Sequence, residues 1–219
     1  LLFLVALGFG FGPVFQKAGQ GNYIQFLVPG IVTMGILFSS IFSGIEIIWD
    51  RQFGFLKETL AAPVSRLEIM IGRTLGGATI STAQGLIILA ISYAVGFRIV
   101  NLSMLPMAIL FMILISLTFT ALGTAIASIL DDFHGFQMII NFLVMPLFFL
   151  SGSLFPLEGL PRFLDIIVML NPLSYGVDGL RGTMAGASHY GLGIDFIVLA
   201  AVASIFLAIG SYLFSKIQI

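Results

Sequence analysis

Asp131, Asp132 and His134 stand within four residues, and acid–acid–x–His is a set that could hold a metal or serve an enzyme working at membrane depth. One short turn rarely supplies a complete metal site, and no matching ligands stand elsewhere in the chain, so the three read as a solvated turn. His189 stands alone and reads the same way. Glu46 lies near the end of a long apolar run, one turn before Asp50. A charge at the bilayer centre costs about 2.5–3.5 kcal/mol or more. Glu46 therefore reads as an interfacial carboxylate that reaches water or pairs with a neighbouring arginine, with a coupling or proton-pathway role as the second reading. No G-x-x-x-x-G-K-[ST] loop occurs, so the chain does not bind ATP by that route. It also has no cysteine, which removes disulfides, thiol catalysis and thiolate metal sites. The energy for any work must come from a partner or a gradient.

The elements that position these residues follow from composition. Hydrophobic residues make up 59% and charged residues 9%, against roughly 25% charged in a soluble domain. The chain therefore reads as all-α, a polytopic transmembrane helical bundle. A net charge of -1 points away from nucleic acid. Spans are expected at about 23–49, 69–97, 102–130, 136–154 and 194–214, with a kink at Pro29-Gly30 and Pro146 inside the fourth of these. Residues 1–11 are expected to be the outer end of a further span, making six in the parent protein, with an N-terminal segment before it. Between 155 and 193, Pro156, Pro161 and Asn171-Pro172 break the chain, and Phe163–Leu170 is too short to cross. Short helices that dip into the outer leaflet and return are expected there. Asp178 and Arg181 are spaced as a local ion pair. Gly72-x-x-x-Gly76 and Ala121-x-x-x-Ala125 let backbones approach closely, within the subunit first and at a dimer seam second. Ser116, Thr118, Thr120 and Thr124 can bond to carbonyls of their own helix. Residues 1–219 read as one domain.

Residues 50–73 are the one charged stretch, with Arg51, Lys57, Arg66 and Arg73. Short basic loops stay inside, which places this loop, with Lys216, in the cytoplasm and Lys17, Arg98, Arg162 and Arg181 outside. Gly54–Ala62 carries good helix formers, and Pro63 closes it. Phe55, Leu56, Thr59 and Leu60 are expected on one apolar side, with Lys57, Glu58 and Ala61 towards the other. Ser65-Arg66-Leu67-Glu68 is a capping box, so a second helix begins at about Arg66 and runs into the next span. Such a loop either anchors the bundle in the interface or docks into a soluble partner; periodicity leaves both open.

The run Arg51-Gln-Phe-Gly-Phe-Leu-Lys-Glu-Thr-Leu-Ala-Ala-Pro-Val-Ser-Arg66 resembles the first cytoplasmic loop of type-2 ABC exporter permeases. Tyr23-Ile-Gln-Phe-Leu-Val-Pro-Gly-Ile31 resembles the opening of that family's second span. Ser151-Gly-Ser-Leu-Phe-Pro156, Leu160-Pro161 and Asn171-Pro-Leu-Ser-Tyr-Gly-Val-Asp-Gly-Leu-Arg181 resemble its C-terminal signature, in order and in register. The branch it resembles is that of drug-resistance and nodulation exporters. The resemblance implies a permease in the cell membrane, the cytoplasmic membrane in a bacterium or archaeon. It implies two permease copies, each seated on a separate ABC-type ATPase, with no cofactor bound directly and ATP used through that partner. Residues 50–68 would be the coupling loop. Arg51, Phe53, Gly54, Phe55, Leu56, Lys57, Glu58, Leu60, Pro63, Ser65 and Arg66 would form or shape its contact with the ATPase. Pro156, Pro161, Asn171, Pro172, Tyr175 and Arg181 would form an outer re-entrant gate in 155–193. The alternative is a gradient-driven carrier or channel, which calls for charged residues in mid-span or internal repeats. The span centres are nearly free of charge.

Overall fold

Lipid offers no partner to a backbone N–H, so an apolar chain that crosses it must close its own hydrogen bonds. The computed structural model describes residues 5–8, 10, 12, 23–157 and 159–216, apart from the side chain of Leu60, and among these it is helical without strands. The expected first-span remnant at 1–11, Lys17 and Leu60's side-chain role thus lie wholly or partly outside the described residues.

Helix α1 (Tyr23–Phe42) and the short α2 (Ile45–Gln52) form one long apolar span interrupted at Ser43-Gly44. Then follow α3 (Phe55–Ala61) and α4 (Arg66–Ala94). A 3₁₀ turn at Leu102–Met104 leads into α5 (Leu105–Ile129). After α6 (Phe133–Phe149) come α7 (Arg162–Leu170) and α8 (Pro172–Ala185), and α9 (Leu192–Ser215) closes the chain. Among the described residues, four helical spans are long and apolar enough to cross a membrane. The α7–α8 pair, bent by 85°, makes a fifth if the pair is one span. This is a polytopic helical membrane bundle.

The helix continues through Pro29, whose carbonyl accepts the Thr33 hydroxyl at 2.8 Å. One expectation is corrected: the span expected at 136–154 is helical only to Phe149. Proline lacks an N–H and crowds the preceding turn. Ahead of Pro146 the backbone widens to a π turn over Ile140–Val144, in which the Met145 N–H reaches the Ile140 carbonyl. Beyond Phe149 the chain turns, with Gly152 at φ 75°.

The core lies where α1, α4, α5, α8 and α9 meet, around Leu27, Ile36, Phe111, Ile115, Phe119 and Leu199. Ala121 and Ala125 are buried against α9, where Gly210 comes close. Gly72 and Gly76 do not pack inside the subunit: both are exposed, and a methyl added at either meets no atom within 4 Å. Buried hydroxyls mostly bond within their own helix, as with Thr118 to Leu114 O and Thr124 to Thr120 O. Ser116 departs from this by accepting from Thr82 across the α4–α5 seam at 2.9 Å, and the buried Thr120 hydroxyl has no partner.

Candidate functional site

At one end of the bundle the chain builds a braced loop. The last carbonyls of α5 have no intrahelical donor and carry the negative end of its dipole. Arg51 caps them: Nη1 donates to Leu130 O at 3.0 Å and Nη2 to Ser128 O at 3.1 Å, and Nη1 also pairs with Asp131. Asp50 pairs with Arg73, tying α2 to α4. Arg66 donates to Ser215 O at 2.8 Å, tying the start of α4 to the end of α9. Arg51 and Arg66 are therefore braces of loop geometry.

Between the braces Gly54 takes φ 82°, a conformation cheap only for glycine, and opens α3. Leu56 is buried and holds α3 to the bundle. Ala62 is extended, as the residue before Pro63 must be, and the helix stops. The capping box forms as its spacing predicts: Glu68 N–H donates to Ser65 Oγ at 3.2 Å and Ser65 N–H to Glu68 Oε2 at 2.7 Å. One expectation is corrected. Phe55 does not share the buried side of Leu56; it is 56% exposed, and Phe53 is 70% exposed. Successive helical residues are about 100° apart, and seven residues give α3 one narrow inward stripe. Phe53, Phe55, Lys57 and Glu58 thus face away from the bundle.

Asp131 and Asp132 are each engaged separately, the first by Arg51 and the second as the N-cap of α6, accepting from Gly135 N–H at 2.7 Å. His134 rests edge-on to Phe133. Among the described residues no three His, Asp or Glu side chains converge on a point. Glu46 is exposed and makes no ion pair among the described residues, so of the two arrangements expected of it, reaching water or pairing with an arginine, it takes the first.

At the opposite end lies the α7–α8 corner. Pro161 precedes α7, and its carbonyl accepts from Leu164 and Asp165. Buried Asn171 caps α8 by accepting from Leu173 N–H at 3.0 Å, and its Nδ2 donates to Leu147 O at 2.7 Å. Pro172 follows at the first helical position, where a missing N–H costs nothing. Tyr175 OH donates to Met169 O at 2.8 Å, back across the corner. The expected Asp178–Arg181 ion pair is not formed: among the described residues the ion pairs are Arg51–Asp131 and Arg73–Asp50. Asp178 instead accepts from Ser188 Oγ, His189 N–H and Tyr190 N–H at 2.8–3.0 Å. The 186–191 loop closes the end of α8, and three donors there outbid a single flexible guanidinium one turn away. Arg181 reaches the other way, donating to Gly152 O at 2.8 Å and lying 4.1 Å over the Phe26 ring. A cavity of about 320 Å³ opens beside it, lined in part by Pro156 and Ser174.

Known proteins give this arrangement a family. The model of the ABC-2 type transporter family matches residues 1–185. The chain belongs to that family. It is 32% identical over 178 residues to the ycf38 transport permease of Cyanophora paradoxa, covering 78% of this chain and 61% of that one. It is 26% identical over 214 residues to nodulation protein J of Rhizobium meliloti (strain 1021), covering 95% of this chain and 80% of that one. It is 26% identical over 180 residues to the inner membrane transport permease YadH of Escherichia coli (strain K12), covering 81% and 69%. The chain spans 61–63% of the length of the ycf38 permeases it matches. It is thus a helical membrane chain of the ABC-2 type transporter family.

Sequence reasoning about this ABC-2 permease missed Asp195. It sits in the first turn of α9 with 0% exposure, close to the Asp178 carboxylate. Nothing near it in the sequence marks it as buried: it stands between Ile194 and Phe196 at the start of an apolar run. Tyr190 beside it is unpartnered at its hydroxyl. Burial first, then Tyr175, Asp165, Asp178 and Asp195, pushes its phenol up to about 12, so it stays neutral. The corner itself gives a prediction. Asn171→Ala removes an N-cap and strands the Leu147 carbonyl, so it should lower stability by about 2–4 kcal/mol. Thermal unfolding of the purified full-length permease in detergent checks this; an unchanged midpoint would show that the corner does not depend on the side chain.

Proposed function

We propose that this chain is the permease subunit of an ATP-driven exporter, working as a pair and seated on separate ABC-type ATPases. The observation that supports it is α3 with its lead-in: a short helix braced on both flanks that turns Phe55, Lys57 and Glu58, with Phe53 just before it, towards water. Exposed aromatic rings on a rigid mount suit a groove in a soluble partner. In this reading the loop end is cytoplasmic, and α3 passes partner movement into α2, α4 and α5 through Arg51 and Arg73. The α7–α8 corner, with Pro156, Pro161, Asn171, Pro172, Tyr175 and Arg181, is the outer gate. ATP acts only through the partner, and the open Gly72–Gly76 stripe on α4 is where a second copy can approach.

Purification of the full-length protein from native membranes in mild detergent tests the partner. A co-purifying ATPase in equal amount is expected. A folded permease with no ATPase after gentle crosslinking would favour a gradient-driven carrier, for which buried Asp195 would be the first candidate. Glu58→Lys and Phe55→Ala sharpen the test. Both residues are exposed, so stability should stay within about 0.5 kcal/mol. Loss of a buried aromatic anchor at the interface, at about 2 kcal/mol, should weaken ATPase binding about 30-fold. Unchanged binding and transport in both variants would sink the docking role of α3.

A further inference from the structure

We infer that Asp178 and Asp195 form a carboxyl–carboxylate pair that holds one proton between them and joins α8 to α9 at the end of the bundle away from α3. Both side chains are buried, at 3% and 0% exposure. They lie within hydrogen-bonding reach of one another. An ionised carboxylate can only accept, so two of them cannot bond; the bond needs the hydrogen of a protonated one. Two bare carboxylates in contact would also repel where little water screens them. The surroundings decide which acid keeps the proton. Asp178 accepts from the Ser188 hydroxyl at 3.0 Å and from the His189 and Tyr190 N–H groups at 2.8 Å. Those donors favour its charged form. No N–H or hydroxyl among the described residues donates to the Asp195 carboxyl. Asp195 is therefore the donor and Asp178 the acceptor.

The backbone seats the pair. Asp195 N–H donates to Gly191 O at 3.1 Å, which fixes the acid at the start of α9, directly after the loop that Asp178 gathers. The charges balance with one proton in place. Arg181, on the same helix as Asp178, interacts with that carboxylate, so a proton on Asp195 leaves Arg181, Asp178 and Asp195 neutral in sum. Tyr175 of α8 and Tyr190 of the loop stand beside the pair, and Asp165 of α7 acts on the same Tyr190 phenol. The His189 ring lies edge-on to Tyr190. From α5 come only the uncharged Phe111 and Ile115, packed at Gly179 and Gly176. A calcium or magnesium ion in place of the proton would need several more oxygen ligands. Among the described residues no third His, Asp or Glu converges there. With its proton the pair ties α9 to α8; without it, like charges would push the two helices apart. The pair stands whether or not the chain docks on an ATPase.

Infrared spectroscopy of the purified full-length permease in detergent tests this, since a protonated carboxyl has a carbonyl band that a carboxylate lacks. At neutral pH the parent should show such a band, shifted in heavy water. Asp195→Asn should lose it and still fold, because the amide can donate to Asp178 in place of the carboxyl. Asp178→Asn should keep the band but move it, since the acceptor has lost its charge. Raising the pH from mildly acidic to alkaline should lower the thermal midpoint of the parent more than that of Asp195→Asn, because the folded pair holds a proton that the unfolded chain has given up. The proposal is overturned if the parent shows no protonated carboxyl at neutral pH, or if the band survives in Asp195→Asn. It is equally overturned if the band stands unmoved in Asp178→Asn, which would make Asp195 a buried acid on its own. Should Asp195→Asn fail to fold, Asp178→Asn decides by the position of the band.

Discussion

Arg51→Met should lower the unfolding free energy by about 2–4 kcal/mol, while Asp131→Asn should change it by less than about 1 kcal/mol. The two residues form an ion pair, yet their surroundings differ. The Asp131 side chain is 86% exposed and that of Arg51 21%. An exposed carboxylate is screened by water and gains little from its partner. The guanidinium also satisfies the Ser128 and Leu130 carbonyls at the end of α5. Removing it strands two acceptors and takes a cation from the negative end of a helix dipole. Methionine keeps much of the apolar stem, so the loss reports the charged head. A double-mutant cycle on thermal midpoints separates the cases. If Asp131→Asn costs as much as Arg51→Met, with full coupling, the ion pair is the brace and the carbonyl clamp is incidental. If α3 docks on an ATPase as proposed, loosening the clamp should also loosen α3, so binding should fall in Arg51→Met although Phe53 and Phe55 are unchanged in sequence.

What the sequence showed and what it hid divide along a physical line. Local signals were legible. The Ser65–Glu68 capping box, the stop before Pro63 and the break at Asn171-Pro172 are each carried by a few adjacent residues, and each appears where expected. Long apolar runs likewise set the spans, since lipid admits few alternatives. The misses are matters of side-chain direction across the fold. Spacing allowed Asp178 to meet Arg181, but three donors from residues 188–190 arrive by tertiary folding and take the acid. Spacing allowed Arg51 to face a partner, but the exposed end of α5 claims it. Phe55 was grouped with Leu56 because both are apolar, although of the two only Leu56 turns inward. Asp195 was passed over because nothing near it in sequence marks a buried acid.

Small residues make the last distinction, and it can be measured. Gly44→Ala and Gly123→Ala should each lower stability by about 1–3 kcal/mol or prevent folding, while Gly76→Ala should be neutral or slightly stabilising. All three are glycines in or beside long helices, and the sequence ranks Gly76 highest through its pairing with Gly72. The structure reverses that order. A methyl on Gly44 would sit 2.6 Å from the Gly123 carbonyl carbon, and one on Gly123 would sit 2.6 Å from the Ile41 carbonyl oxygen. Those neighbours are backbone and cannot swing aside, so α5 would have to part from the α1–α2 junction. Gly44 has ordinary helical angles, φ -64° and ψ -26°, so the loss would be steric and not conformational. That contact matters because α2 begins there and carries Asp50 and Arg51 to their braces; a displaced junction would shift both. Gly76 faces open space, where alanine only improves helix propensity. Size-exclusion profiles and thermal midpoints in detergent decide the monomer's part. A Gly76→Ala variant that is stable but poorly paired would place the second copy on the α4 stripe; a Gly123→Ala variant as stable as the parent would mean that α5 is not seated against α1 as described.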